Sequence, residues 1–238
     1  MNSLQCIEFS FVDSYCQANY WIETMSKRLS WQLAIMIFVG FLVLGVCGDI
    51  RGQLQFSDGV VPKNNLPKPT MTDELVFLNV PHIRQKPGNC VPTSCAMVMR
   101  YFKRSASPGD LKRLAENHKP KQERNTEFTY WKDMQIALKS KNEQWEIRRF
   151  DKTREGYDQG MSDIKSHLLS GQPVLIDVHL GSGHTFVIIG FDQLKRLVFI
   201  RDPALPSNKA RVLTYSQMQQ HWHNHRFGNS RSAFFSKK

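Results

Sequence analysis

Between residues 92 and 102 the apolar side chains Cys95, Val98, Met99 and Phe102 recur at three- and four-residue intervals, the spacing of one helix face. Pro92 stands where a helix tolerates it, in the first turn. A second helix is predicted from Ser107-Pro108, with Leu111, Leu114 and Ala115 turned inward. A third spans about residues 127–139 on Trp131, Met134 and Leu138. A fourth runs from an N-cap at Ser162 to Leu169, where Gly171 and Pro173 stop it. The period then changes. Short apolar runs at 174–178, 186–191, 197–200 and 211–213, bounded by Gly, Pro, Asp and Asn, read as strands buried on both faces. Residues 145–150 read as a further strand, and 216–222 as a short closing helix. Helices first and sheet second is an α+β arrangement.

The front of the chain follows another pattern. Residues 29–48 carry no charge, and 33–47 are almost continuously apolar. Lys27-Arg28 precede the run, and Asp49 and Arg51 follow it. That is the layout of a signal peptide or a short membrane anchor, with membrane association through residues 31–47. The basic residues keep the preceding side cytoplasmic, so everything after Asp49 is expected outside the cytoplasm: secreted, periplasmic or anchored. Residues 1–24 contain three acidic residues and no Lys or Arg, an odd prelude to an export signal. They read as a non-native or disordered extension, with Met25 as the expected start. The expected organisation is therefore an extension at 1–24, a signal or anchor at 25–48, a linker at 49–73 and a single domain at 74–238.

Charge and cysteines narrow the picture further. Lys and Arg number 32 against 21 Asp and Glu. No basic stripe interleaved with aromatics accompanies that excess, so it reads as a solvated surface rather than a nucleic-acid site. Five cysteines are too few for a disulfide framework, and only Cys90 and Cys95 fall in the domain. On one helix their Cα atoms would stand about 8–9 Å apart. A disulfide reaches roughly 7 Å, so both are expected as free thiols.

Three segments carry the chemistry: Gln85-x4-Cys90-Val91-Pro92, Gly183-His184-Thr185-Phe186-Val187, and Arg201-Asp202-Pro203. They supply an amide donor, a thiol, an imidazole and a carboxylate, the set that thiol-based acyl transfer requires. Cys90 is placed a residue or two before the first helix, where the macrodipole favours thiolate; Cys95 sits on the apolar face as a packing residue. His184 opens a strand after a glycine-rich loop, with His179 and His82 as rivals for the base. Asp202 competes with Asp177 and Asp192 as the orienting carboxylate, although Asp192 reads as a turn residue. His221-x-His223-x-His225 has no carboxylate or Cys nearby to complete a metal set.

These motifs resemble those of the C39-like cysteine peptidases, a branch of the papain-like fold, over about residues 75–227. Gly183-His184 leading into Val187-Ile188-Ile189-Gly190-Phe191 is similar to the family's Gly-His-x-Val-Val-x-Gly-Tyr, and Asp202-Pro203 to its Asp-Pro. Val80-Pro81-x-Ile83-x-Gln85 matches the context of its oxyanion glutamine; Val91 departs from the Gly or Glu usual after the nucleophile. The resemblance implies a papain-like α+β fold whose nucleophile helix packs on a C-terminal antiparallel sheet. It implies Cys90 as nucleophile, His184 as base, Asp202 as its orienter and Gln85 as oxyanion donor. A peptide or protein substrate follows, with no metal, organic cofactor or nucleic acid. Hydrolysis or transfer at a cell-wall or other non-protein amide, and a non-catalytic binding module, remain as alternatives.

Overall fold

The computed structural model describes residues 59–125, 127–179, 183–223 and 230–238. The strands described are β1 (Val60–Pro62), β2 (Thr70–Met71), β3 (Leu75–Phe77), β4 (Glu146–Phe150), β5 (Val174–Val178), β6 (His184–Asp192), β7 (Leu197–Arg201), β8 (Lys209–Thr214) and β9 (Arg231–Phe235). The α-helices described are α1 (Cys90–Tyr101), α2 (Pro108–Asn117), α3 (Trp131–Lys139), α4 (Arg154–Leu169) and α5 (Tyr215–His221). All strand pairings are antiparallel, in the order β1-β8-β7-β6-β5-β9-β4, with β3 also on β6 and β2 on β3.

β6 is the spine of this sheet. Phe186, Val187, Ile188 and Ile189 are fully enclosed, as the unbroken apolar run predicts for a strand covered on both faces. A bulge between Ile188 and Gly190 interrupts its register with β7. Before the bulge β6 pairs with β5; after it, the same edge pairs with β3. Gly190 is required at that crossing, because a Cβ there would lie 2.0 Å from the Val76 carbonyl oxygen.

Helices cover both faces. On β9 the Phe234 ring meets Trp131 of α3, and the next ring, Phe235, meets His167 of α4. Successive side chains on a strand point to opposite faces, so α3 and α4 lie on opposite sides of the sheet. α1 lies against β6 and packs with α2 and α3. Every residue of α1 from Val91 to Met99 is buried, so it is enclosed all round rather than on one face.

Several boundaries differ from the sequence reading. α1 starts at Cys90, earlier than expected, with Pro92 as its third residue, still where no helical N–H is needed. α3 begins at Trp131 rather than at 127. α4 begins two turns before Ser162: Thr153 is its N-cap, accepting a hydrogen bond from the Gly156 N–H at 3.1 Å. Gly160 sits inside that helix because the Trp222 indole lies against it; a Cβ there would come within 2.5 Å of the ring. β1 and β2 fall within 49–73, so for residues 59–73 the linker assignment is corrected. Val60, Val61 and Pro62 pair with Arg211, Ala210 and Lys209 of β8, a partner some 150 positions away. The expected signal or anchor, the extension and Met25 lie outside the described residues. Among the described residues no helix is long and apolar enough to cross a membrane.

Candidate active site

The turn before α1 sets the position of the thiol. The Asn89 N–H bonds to the Lys86 carbonyl at 3.1 Å, and Gly88 takes φ +72°. A Cβ on Gly88 would overlap the Glu127 carbonyl, so glycine is needed for both backbone and space. Asn89 is the N-cap and makes no side-chain capping bond. Cys90 is therefore the first residue of the helix, not a residue or two ahead of it. Its thiol is partly open to solvent and makes no disulfide, whereas Cys95 is enclosed and equally free of one. Burial pushes the Cys95 thiol well up, with the neighbouring Cys90 adding to it.

His184 opens β6 after Gly183, which takes φ +99°. Its Nε2 lies 2.6 Å from Asp202 Oδ1, and the Cys90 thiol is close enough to help raise its pKa. With Nε2 committed to the carboxylate, Nδ1 is the nitrogen left for the sulfur. The ring is largely buried, and burial acts to lower its pKa. The hydrogen bonds and charges of Asp202 and Cys90 outweigh that and raise it to about 9. Asp202 is enclosed, which acts to raise its pKa, yet the His184 bond and charge, the Ala204 N–H and Arg211 bring it down to about 2.

Every lone-pair direction of that carboxylate is used. Oδ1 accepts from His184 and from the Ala204 N–H at 2.9 Å. Oδ2 accepts from Arg211 Nε at 3.0 Å and faces Nη2 at 2.9 Å, a two-pronged guanidinium contact. Arg211 was missed in the sequence, where it stood only as the start of a strand. The available signal was a charged residue within an otherwise apolar run. The register of Ile200 opposite Arg211 is what brings it beside Asp202.

The remaining candidate, Gln85, is tied to the same corner. Its N–H donates to the Pro203 carbonyl at 2.9 Å, which fixes the loop ahead of Cys90 against the Asp202-Pro203 turn. Its Oε1 is buried with no hydrogen-bond partner. The rivals stand elsewhere. His82 Nε2 lies 3.2 Å from the Asp202 carbonyl oxygen rather than its carboxylate, and burial lowers its pKa. His179 stacks on His223 with ring centroids 5.5 Å apart. Asp192 accepts the Lys195 N–H at 2.8 Å as a turn residue, and Asp177 is paired in register with Thr185. No cluster of three or more metal-ligating side chains occurs among the described residues, and His225 lies outside them.

A thiol at a helix start, an imidazole and a buried carboxylate, set where a helix meets an antiparallel sheet, define a cysteine peptidase of the papain-like fold. The family model described as "Peptidase_C39 like family" matches residues 77–229, and the chain belongs to that family. Among solved structures it is similar to the peptidase domain of Streptococcus ComA, a bifunctional ABC transporter, at 19% identity and TM-score 0.47. That match covers 67% of this chain and 100% of the other. It is similar to a double-glycine-motif protease from an AMS/PCAT transporter in complex with its leader peptide, at 16% identity and TM-score 0.46, over 68% and 94% of the two chains. Xylellain, a cysteine protease from Xylella fastidiosa, matches at 12% identity and TM-score 0.44, over 75% and 90%. No curated protein matches the chain.

Proposed function

We propose that this cysteine peptidase hydrolyses peptide bonds with Cys90 as nucleophile, His184 as acid and base, Asp202 as the orienter of His184, and Gln85 as oxyanion donor. The observation that carries the reading is the single imidazole engaged on one side by the Cys90 thiol and on the other by Asp202. Cys90 Sγ attacks the carbonyl carbon, forming a C–S bond as the carbonyl electrons move to oxygen. The proton of the thiol resides on His184, which then passes it to the departing amine as the C–N bond breaks. Water, deprotonated by the same imidazole, attacks the resulting thioester and releases the acid and free Cys90. Asp202 stays ionised throughout and keeps Nε2–H pointed at itself. The oxyanion is met by the backbone N–H groups at the start of α1 and by the Gln85 side-chain amide.

Gln85→Ala is expected to lower kcat on a fluorogenic peptide by about 10²–10³-fold with little change in KM, the loss associated with one oxyanion donor. A kcat within a few-fold of wild type would remove Gln85 from the mechanism.

The apolar run at 33–47, preceded by Lys27-Arg28, supports an extracytoplasmic location for the catalytic domain. A reporter fused after Lys238 that fluoresces only when exported in its active form is expected to give signal. Activity confined to a cytoplasm-only reporter would reject that topology.

A further inference from the structure

Arg211 sits inside β8, its backbone opposite Ile200 of β7 on one side and Val60 of β1 on the other. Residues opposite one another share a face of the sheet, and so does the residue two further along. Asp202 follows Ile200 by two, which sets its carboxylate on the diagonal from Arg211. There Nε at 3.0 Å and Nη2 at 2.9 Å converge on Oδ2. Oδ1 is thereby left to His184 Nε2 at 2.6 Å and to the Ala204 N–H at 2.9 Å. The carboxyl torsion of an aspartate is soft, and an unrestrained group presents either oxygen at any tilt. Two charge-assisted donors on one oxygen remove that freedom.

Charge adds a second demand. The Asp202 side chain is fully enclosed, while that of Arg211 keeps 13% of its surface open. Enclosure alone drives a carboxyl toward its neutral form; His184, the Ala204 N–H and Arg211 oppose it. Of these partners, His184 changes charge during the reaction. Once it has handed its proton to the departing amine, the imidazole is neutral. A guanidinium does not titrate, so the charge of Arg211 stays when that of the imidazolium goes. Asp202 then remains an acceptor, Nε2 keeps its hydrogen, and Nδ1 is open to take a proton from water. The other ionisable groups at this corner serve elsewhere. His82, on the segment before α1, bonds to the Asp202 carbonyl rather than the carboxylate, and the charge of Arg201 acts on that ring. Cys90 of α1 acts on His184.

We propose that Arg211 is a positioning residue of the catalytic pair: it turns Asp202 so that Oδ1 faces His184, and it keeps that carboxylate ionised after His184 has given up its proton. The inference rests on the peptidase reading above. Arg211 acts through Asp202 in this scheme and forms no bond to the substrate, so its loss is read in turnover rather than in binding.

Three variants of the full chain test it. Arg211→Met removes donors and charge, Arg211→Gln keeps a donor without the charge, and Arg211→Lys keeps the charge as a single point. On a fluorogenic peptide at neutral pH, Arg211→Met is expected to lower kcat by about 10- to 100-fold while KM changes less than about twofold. Arg211→Lys should bring kcat back to within about fivefold of wild type, and Arg211→Gln should recover less. The second readout is the far-downfield proton resonance of an imidazole N–H bonded to a carboxylate, followed as pH falls. In wild type it should fade as Asp202 takes a proton, at about pH 2. In Arg211→Met it should fade about 1–3 units higher, and in Arg211→Lys close to wild type. A kcat for Arg211→Met within about twofold of wild type, a loss carried by KM, or an unmoved midpoint overturns this inference alone. So does an Arg211→Lys chain no more active than Arg211→Met. Where Arg211→Met does not fold, Arg211→Gln set against Arg211→Lys carries the same comparison; failure of all three to fold overturns the inference, because the guanidinium would then be serving the fold. A wild type that hydrolyses no peptide overturns the peptidase reading together with this one.

Discussion

Cys90→Ala is expected to abolish peptide hydrolysis, by at least about a thousandfold, while changing folding stability by no more than about 1 kcal/mol. The reasoning is geometric. Cys90 sits at the first position of α1, partly open to solvent, so truncating it removes few packing contacts. It also removes the sulfur that acts on His184. Cys95→Ala should show the reverse. That thiol is enclosed among Val98, Met99 and the rest of the core, so its loss costs about 1–2 kcal/mol and leaves most activity. Initial rates on a fluorogenic peptide, paired with thermal melts, separate the two. Iodoacetamide should label Cys90 in the native protein and spare Cys95. Activity that survives in the Cys90 variant and vanishes in the Cys95 variant would sink the assignment.

The second large effect is expected at Asp202. Asp202→Ala leaves a buried imidazole without its acceptor and strips Arg211 of both its bonds to Oδ2. Breaking a buried pair from one side costs about 3–5 kcal/mol. That cost should depend on pH in a defined way. His184 has its pKa raised from 6.5 to about 9, so its contribution is complete below 6.5 and fades as pH rises through 9. Asp202 is lowered from 3.8 to about 2, so its contribution is complete above 3.8 and fades as pH falls through 2. Both are in full force only between roughly pH 4 and 6.5. Urea unfolding of wild type and Asp202→Ala should therefore differ most near pH 5.5 and differ less above pH 9, where the loss of the Arg211 contact alone remains. A difference that stays constant from pH 5 to 10 would show that the pair is not coupled as described. The same pair bears on catalysis. A His184 still protonated at neutral pH already holds the proton that the departing amine needs, and an imidazolium beside a sulfur favours its thiolate.

Legibility in the sequence followed the locality of the cause. The run 186–191 could be read because every one of its residues obeys the same demand, burial from both sides. The second helix was read correctly to its cap, since Ser107 and Asp110 are three residues apart and bond within one turn. β1 was not legible. Val60-Val61-Pro62 becomes a strand only because β8 offers it an edge, and nothing nearby reports that partner. β9 was missed for a related reason: it opens with Arg231, a charge that reads as surface. In the fold that guanidinium is buried by donating to the carbonyls of Asp151 and Thr153. The start of α4 was misplaced: Gly160 lies inside the helix because it makes room for the Trp222 ring, some sixty positions away. At the candidate site the motif residues were visible one by one, since each kept its local context. Their convergence and the two-pronged Arg211 contact belong to the register of β6, β7 and β8 and cannot be counted off along the chain.

β9 also orders events in time. Residues 231–235 do not finish the sheet at its margin; they slot between β5 and β4, pairing with both. A growing chain reaches the α1 thiol and the β6 imidazole well before it reaches that strand. Until then β5 and β4 have no neighbour in common, and the Phe234 and Phe235 rings that fill both faces beneath α3 and α4 are missing. Assembly of this sheet is therefore a matter of waiting: no sequence of partial pairings completes it before residues 231–235 are in place.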